Sequence, residues 1–168
     1  MTASGATNVQ QGVIWGWRTL SSGEPFTGGH DESVSSNNKI MIVMTDGANT
    51  YYPLSNNSNR SLYGAYGFSA NGRIYDGTGV SATHTSASYT QAMDQHMLIT
   101  CENAKQAGIL IYSIAFEVRD STTKANMEMC ASDDGQGGKL YYDADDRQSL
   151  IETFQDIANK ITELSITK

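Results

Sequence analysis

The sequence has few basic residues, only two cysteines and no long apolar run. Its 168 residues include 11 Lys and Arg against 18 Asp and Glu, a formal net charge of −7 at pH 7. Because phosphate binding needs a basic surface, this balance argues against a nucleic-acid partner, although it permits cation binding. No apolar run approaches the roughly 18 residues that cross a bilayer, so we expect no membrane segment within this chain.

The sequence has two cysteines, Cys101 and Cys130. They cannot make a four-cysteine zinc site or a dense disulfide framework. From the residues alone they are either two small buried thiols or one disulfide, and a disulfide would imply an oxidising compartment. The chain length suits a single domain over residues 1–168.

Apolar periodicity predicts an alternation of helices and strands. Helical spacing is found in four segments: 7–20, 88–107, 121–132 and 147–164. Short apolar runs predict three strands: 39–45, 109–118 and 139–145. This order is typical of an α/β three-layer sandwich with a mostly parallel sheet. Residues 48–86, rich in Asn, Ser, Gly and Tyr, form a long insertion, and such a stretch is either a functional loop or a disordered one.

The segment IMIVMTDGANT places an acidic residue directly after a strand that is apolar on both faces. Ligands of an open parallel α/β sheet bind beyond the carboxyl ends of its strands, where Asp46 is expected to lie. Gly47 permits a sharp turn at this point. The carboxylate suits a hard cation or a catalytic role, and it is explained equally well as a turn residue that caps the next segment.

The surrounding residues argue against two types of hydrolase. A haloacid-dehalogenase-type phosphatase needs an aspartate nucleophile two residues before the second acid, where this sequence has Met44. A serine hydrolase needs Gly-x-Ser-x-Gly after a strand, and that motif is absent. His30, His84 and His96 lack zinc-type spacing, so we interpret each as a solvated side chain.

Four segments, in this order, resemble the von Willebrand factor A domain. SGATNVQQGVIWGW is similar to a loop and helix of that domain, IMIVMTDGANT to its fourth strand, AGILIYSIAFEV to its fifth, and 130–168 to its closing strand and helix. LSSGEPFTGG, TDGANTYY and IANKITELSITK resemble the A domain of TadG-type tight-adherence (Flp) pilus assembly proteins. The resemblance implies a partial von Willebrand A, Rossmann-like fold. It also implies an extracytoplasmic place in the cell envelope, with a membrane anchor upstream.

Domains of this family commonly hold magnesium beyond the strand ends. The resemblance matches Thr7 to the Thr of the second metal-binding loop and Asp46 to the Asp of the third. The first loop, Asp-x-Ser-x-Ser, should follow a strand upstream of Thr7, where only six residues stand. DESVS at 31–35 has the same residue pattern, but it follows no strand, so we do not expect it to be the metal-binding loop. We therefore expect the C-terminal part of such a domain. Mg²⁺ would belong to the full-length domain, and this chain would not bind it tightly.

The resemblance implies a non-enzymatic adhesion or protein-binding module. Its ligand face would lie around Thr7 and Asp46. It would include Asn49, Tyr51 and Tyr52 from the start of the insertion, since tyrosine is favoured at protein interfaces. The partner would be a pilus component or a surface ligand.

A second hypothesis, drawn from the residues, is an enzyme. A metal-dependent hydrolase or phosphotransferase would use Asp46 together with other acids near strand ends, Glu117, Asp120 and Asp143. Acids at such places are more often simply solvated, and the sequence shows no nucleophile or base to accompany them.

The resemblance also implies a disulfide and a homodimer. An extracytoplasmic family favours a Cys101–Cys130 bond, between two helices that flank one strand. The strand 39–45 would lack the neighbour supplied by the missing half, and IMIVM has no charge or proline to discourage pairing. We therefore expect a homodimer or higher oligomer through this edge, with Ile42 in the core.

Overall fold

The computed structural model describes residues 6–31, 34, 37–54 and 56–166. Within them the α-helices are α1 (Val9–Leu20), α2 (Ser86–Gln106), α3 (Ser121–Cys130) and α4 (Arg147–Ile166). The strands are β1 (Lys39–Thr45), β2 (Ile109–Phe116) and β3 (Tyr141–Ala144). Helices and strands alternate along the chain, which confirms the predicted α/β sandwich.

The strands form one parallel sheet in the order β1-β2-β3. Lys39 lies opposite Ile109 and Thr45 opposite Ala115, so β1 and β2 are paired over the whole of β1. The shorter pairing of β2 with β3 begins at Ser113. In the described part of the chain, β1 has a neighbour on one side only, and its other edge is free.

Three helices cover one face of the sheet, which we call the closed face. Val13 of α1, Met97 of α2 and Met127 of α3 pack there against Met41 of β1 and Ile111 of β2, and all five side chains are buried. Both crossovers lead across the sheet in the same direction. Crossovers of one handedness therefore place α2 and α3 on the same face.

The opposite face, which we call the open face, is covered by α4 mainly over β2 and β3. Ile157 of α4 packs against Tyr112 and Ile114. The β1 side chains on this face are less covered, since Ile42 is 41% and Met44 is 51% exposed. The expectation that Ile42 lies in the core is therefore wrong for the single chain, because this side chain belongs to neither core cluster of the sheet.

Cys101 of α2 and Cys130 of α3 form a disulfide, with 2.03 Å between the sulfur atoms and 5.2 Å between the Cα atoms. This is the pairing expected from the resemblance. Both sulfurs belong to the apolar cluster of the closed face, so the bond joins the two crossover helices directly above β2.

The insertion 48–86 is neither structureless nor detached from the sheet domain. It contains two 3₁₀ helices, Ser69–Asn71 and Arg73–Tyr75. Ile74 and Tyr75 are buried against Tyr89, Ala92 and Met93 of α2. The insertion thus adds a second small core against the N-terminal half of α2.

Two of the histidines expected to be solvated help to hold this insertion in place. The His96 Nε2 atom lies 3.0 Å from the Ile74 carbonyl oxygen, and its ring stacks on Tyr66. The His84 Nδ1 atom lies 2.7 Å from the Tyr89 hydroxyl. His30 remains exposed, as expected. The histidine spacing argued against zinc but carried no information on these contacts, because the partners are a tyrosine hydroxyl and a backbone carbonyl that spacing does not identify.

Candidate ligand-binding groove

A groove of about 680 Å³ runs along the free edge of β1, and we call it the β1 groove. Its walls come from the start of α1, from β1 and from the end of β2. The groove is lined by 7–9, Gly12, Gly16, 41–46 and Phe116. Thr7 and Asp46, which the sequence proposed as partners, therefore lie in the same groove, near the carboxyl end of β1.

Two glycines of α1 shape this groove. A Cβ atom on Gly16 would lie 2.8 Å from the Met41 sulfur, so glycine allows the helix to sit close to β1. A Cβ atom on Gly12 would meet nothing within 4 Å, because this position faces open space. The glycines that weaken α1 as an isolated helix thus serve its packing and leave room along the strand edge.

Backbone hydrogen bonds hold Thr7 beside the segment that follows β1. The Thr7 N–H donates to the Thr50 hydroxyl at 2.8 Å, and the Thr50 N–H donates to the Thr7 carbonyl at 3.0 Å. At the strand end, the Thr45 hydroxyl donates to the Gly47 carbonyl at 2.7 Å. This local turn leaves the Asp46 side chain exposed.

Asn49, expected to contact a ligand, instead supports the groove from inside. Its Oδ1 accepts from the Val9 N–H at 2.8 Å, and its Nδ2 donates to Asp94 Oδ1 at 2.8 Å. Only 3% of Asn49 is exposed. Burial raises the pKa of the Asp94 carboxyl, and the hydrogen bond from Asn49 opposes that rise. Asn49 therefore ties the start of α1 to α2, and its side chain is turned away from solvent.

The two neighbouring tyrosines differ in their surroundings. The Tyr51 ring is half-buried and lies 4.7 Å, centroid to centroid, from the buried Tyr89 ring. Tyr52 is 68% exposed. Tyr52 is therefore free to meet a partner, whereas Tyr51 mainly fixes the insertion on α2.

Sequence analysis did not single out Asp94. Its one sequence signal is an acid directly beside Met93, on the border of the apolar stripe of α2. That position brings the Asp94 carboxylate within hydrogen-bond distance of the buried Asn49. An acid on the solvent-facing side of α2 could not make this contact.

In the described ranges, the β1 groove offers few ligands for Mg²⁺. Mg²⁺ prefers near-octahedral coordination by oxygen, and Thr7 and Asp46 would supply one hydroxyl and one carboxylate. Among the residues that the structure describes, no group of three His, Cys, Asp or Glu side chains could hold a metal ion. Of the DESVS stretch, Asp31 and Val34 are described and the other three residues lie outside the described ranges. Weak Mg²⁺ binding by this chain stays a prediction.

Two of the three acids proposed beside Asp46 for a hydrolase are bound to neighbouring side chains. Asp143 forms an ion pair with Lys124. Asp120 accepts from the Thr123 hydroxyl and N–H, both at 2.7 Å, and these bonds lower the pKa of its carboxyl. Glu117 lines a small cavity beyond β2 that does not include Asp46.

Comparison with known proteins shows the fold alone. No family model and no curated protein sequence matches the chain. Two crystal structures of the pilus adhesin SpaC from Lactobacillus rhamnosus GG, one in an open conformation, match with TM-scores of 0.54 and 0.55 and identities of 19% and 17%. Each match covers 94% of this chain and 19% of the adhesin, so the chain spans about one fifth of the adhesin's length. Within the described residues, no helix is both long and apolar enough to cross a membrane.

Proposed function

We propose that this chain is a non-enzymatic adhesion domain of a pilus-associated, extracytoplasmic protein. Within that class, we assign it to the von Willebrand A type of TadG-like tight-adherence proteins. Three features support the proposal: the fold shared with part of a pilus adhesin, the four sequence segments that resemble the A domain, and the Cys101–Cys130 disulfide. A disulfide of this kind persists in oxidising compartments.

The observation that carries the proposal is the position of Thr7 and Asp46 in the β1 groove. The groove combines exposed apolar side chains, Ile42 and Met44, with one exposed carboxylate at its end. Protein interfaces have this composition, with an apolar centre and polar groups at the rim. Tyr52 is exposed on the segment that follows Asp46 and supplies a residue type favoured at interfaces.

The free edge of β1 also suits a second copy of the chain. No strand of the described chain pairs with this edge, and IMIVM carries no charge or proline against strand addition. We therefore propose a homodimer through 39–45 beside the binding of a pilus component or a surface ligand.

Photo-crosslinking at two matched methionines tests the proposal. Met44 lies in the β1 groove and is 51% exposed, and Met129 lies on α3 and is 50% exposed. Benzoylphenylalanine at each position would be irradiated on whole cells that carry the full-length protein. We expect one dominant adduct from position 44, either with a surface protein or with a second copy, and none from position 129. Equal adducts from both positions, or none from either, would contradict the proposal.

A separate assay addresses the enzyme alternative. The purified chain is offered a panel of phosphate esters with Mg²⁺, and we expect no turnover. Turnover that disappears in Asp46→Ala would favour the hydrolase instead.

A further inference from the structure

A second cavity, of about 660 Å³ and open to solvent, lies between the start of the insertion and the residue before the α2 cap, and we call it the Arg60 cavity. It shares no lining residue with the β1 groove. Its walls include Leu54, Asn57, Ser58, Arg60 and His84, a mixture of one apolar, two uncharged polar and two basic side chains.

Hydrogen bonds give the first wall a defined shape. The Leu54 N–H donates to the Arg60 carbonyl at 2.7 Å, and the Arg60 N–H donates to the Asn57 carbonyl at 2.8 Å. The Ser69 N–H donates to the Ser61 hydroxyl at 2.9 Å, which ties this loop to the first 3₁₀ helix. Hydrogen bonds therefore join the two ends of this loop, and a further one attaches the loop to the packed part of the insertion.

The second wall is anchored to α2. The His84 N–H donates to the Tyr75 hydroxyl at 3.1 Å, and its Nδ1 is hydrogen-bonded to Tyr89. Both tyrosines belong to the small core on α2. The Nε2 atom of His84 has no protein partner among the described residues, so this nitrogen is available to a ligand.

Backbone strain coincides with the two basic residues. Arg60 has φ +59° and His84 has φ +54°, in the left-handed region that non-glycine residues avoid. Two of the three such residues in the described ranges therefore line this one cavity. Strained residues cluster at ligand sites, where the surrounding structure holds them in place.

The charge of this region is opposite to that of the chain. Residues 48–86 contain one acid, Asp76, and two arginines, whereas the whole chain has 18 acids and 11 Lys and Arg. The Arg60 guanidinium forms no ion pair with a described residue. An unneutralised guanidinium in a cavity is suited to bidentate binding of a carboxylate.

We propose that the Arg60 cavity binds a sugar that carries a carboxylate, of the hexuronate class. Arg60 holds the carboxylate, and His84 lines the second wall. Asn57 and Ser58 have uncharged polar side chains that can both donate and accept hydrogen bonds, and they therefore suit the hydroxyl groups of a sugar. This matches a sugar better than an acidic peptide. The site is independent of the β1 groove and of the function proposed for it.

Nuclear magnetic resonance titration with small probes tests this site. The ¹⁵N-labelled chain is titrated with methyl β-glucuronide, with methyl β-glucoside and with N-acetylglutamate amide. We expect the glucuronide to shift the amide signals of 54–60 and His84, at millimolar affinity. The other two probes should bind at least tenfold more weakly. Equal binding of the glucoside would overturn the role of the carboxylate, and stronger binding of the glutamate amide would overturn the sugar assignment.

Matched arginine variants make the test specific. Arg60→Gln should weaken glucuronide binding about tenfold, the loss expected for a charge-assisted pair. Arg73→Gln, at the other arginine of the insertion, should leave it unchanged. Arg60→Gly removes the guanidinium and suits the left-handed backbone, so this variant should lose binding and melt no lower than the wild type. Unchanged binding in Arg60→Gln or in Arg60→Gly would overturn the proposal.

Discussion

The two faces of β1 have similar sequences and different environments. On the closed face, Met41 and Val43 are buried under α1 and α2, whereas Ile42 and Met44 on the open face remain about half exposed. Successive side chains of a strand point to opposite faces, so the apolar run supplies both faces equally. The difference arises from the helices. An apolar strand therefore indicates that both faces suit burial, without indicating whether a helix of the same chain or another molecule provides the cover.

The largest expected effect compares one isoleucine on each face. Ile111→Ala opens a cavity in the closed face, where the side chain is fully buried, and should lower the free energy of unfolding by about 3–4 kcal/mol. Ile42→Ala removes a partly exposed side chain and should cost about 1 kcal/mol or less. Urea unfolding of dilute, monomeric protein measures both. Equal losses would mean that Ile42 is covered in the single chain.

The disulfide is the second test, since it belongs to the closed face alone. Its two cysteines are 29 residues apart, and closing such a loop stabilises by about 3.6 kcal/mol in the chain-entropy model. The double variant Cys101→Ala/Cys130→Ala should lose about this amount in urea. Adding a reductant should destabilise the wild type and leave the double variant unchanged. A wild type that is insensitive to reductant would show that the two thiols are not bonded in solution.

Assembly through the open face gives a smaller effect. Ile42→Lys places a charge on the free-edge strand, and because Ile42 is partly exposed, the variant should fold and dimerise at least tenfold more weakly. Light scattering on a sizing column distinguishes the 18.2 kDa chain from a dimer of twice that mass. Met129→Lys, on α3, is the control and should leave the mass unchanged. A wild type that stays monomeric at tens of micromolar would contradict the dimer.

The start of α3 gives a pH-dependent test on the closed face. Hydrogen bonds from Thr123 lower the pKa of Asp120 in the folded protein. The stabilisation is therefore fully present above the unfolded pKa near 4 and is lost as pH falls through the lower folded value. Asp120→Ala should cost about 1 kcal/mol at pH 7, as for other helix caps, and less at pH 2. Asp120→Asn keeps the acceptor and should cost less than Asp120→Ala. Equal losses at both pH values would show that the charge is not involved.

Much of the fold could be predicted from the sequence because its signals are local. The run 39–45 became β1 with the same bounds, and the apolar stripes marked all four helices. The packing of 48–86 could not be predicted in the same way. Ile74 and Tyr75 are two apolar residues in a polar stretch, and their burial depends on α2 side chains that the periodicity of the insertion does not reveal.

The candidate site was predictable in position and less so in detail. The rule that ligands bind at the carboxyl ends of parallel strands located Asp46, and the resemblance added Thr7. The inward position of Asn49 depends on a hydrogen bond to Asp94, 45 residues away. Such long-range pairs leave no local pattern. The His84–Tyr89 pair spans only five residues, but it depends on the turn before α2, which the helical periodicity does not reveal.

The smallest expected effect is that of the Asp46→Asn substitution on magnesium binding. It tests the carboxyl end of β1, where Thr7 and Asp46 lie. Thr7 and Asp46 provide two side-chain oxygens, and weak oxygen sites with few charged ligands bind in the millimolar range. Isothermal titration should therefore detect no Mg²⁺ site tighter than about 1 mM, and Asp46→Asn should not alter the weak heats measurably. In a longer chain that supplies an Asp-x-Ser-x-Ser loop, the same substitution should abolish tight binding, because Asp46 would then complete the oxygen set. A micromolar site in the present chain that is lost in Asp46→Asn would show that other residues already supply those oxygens.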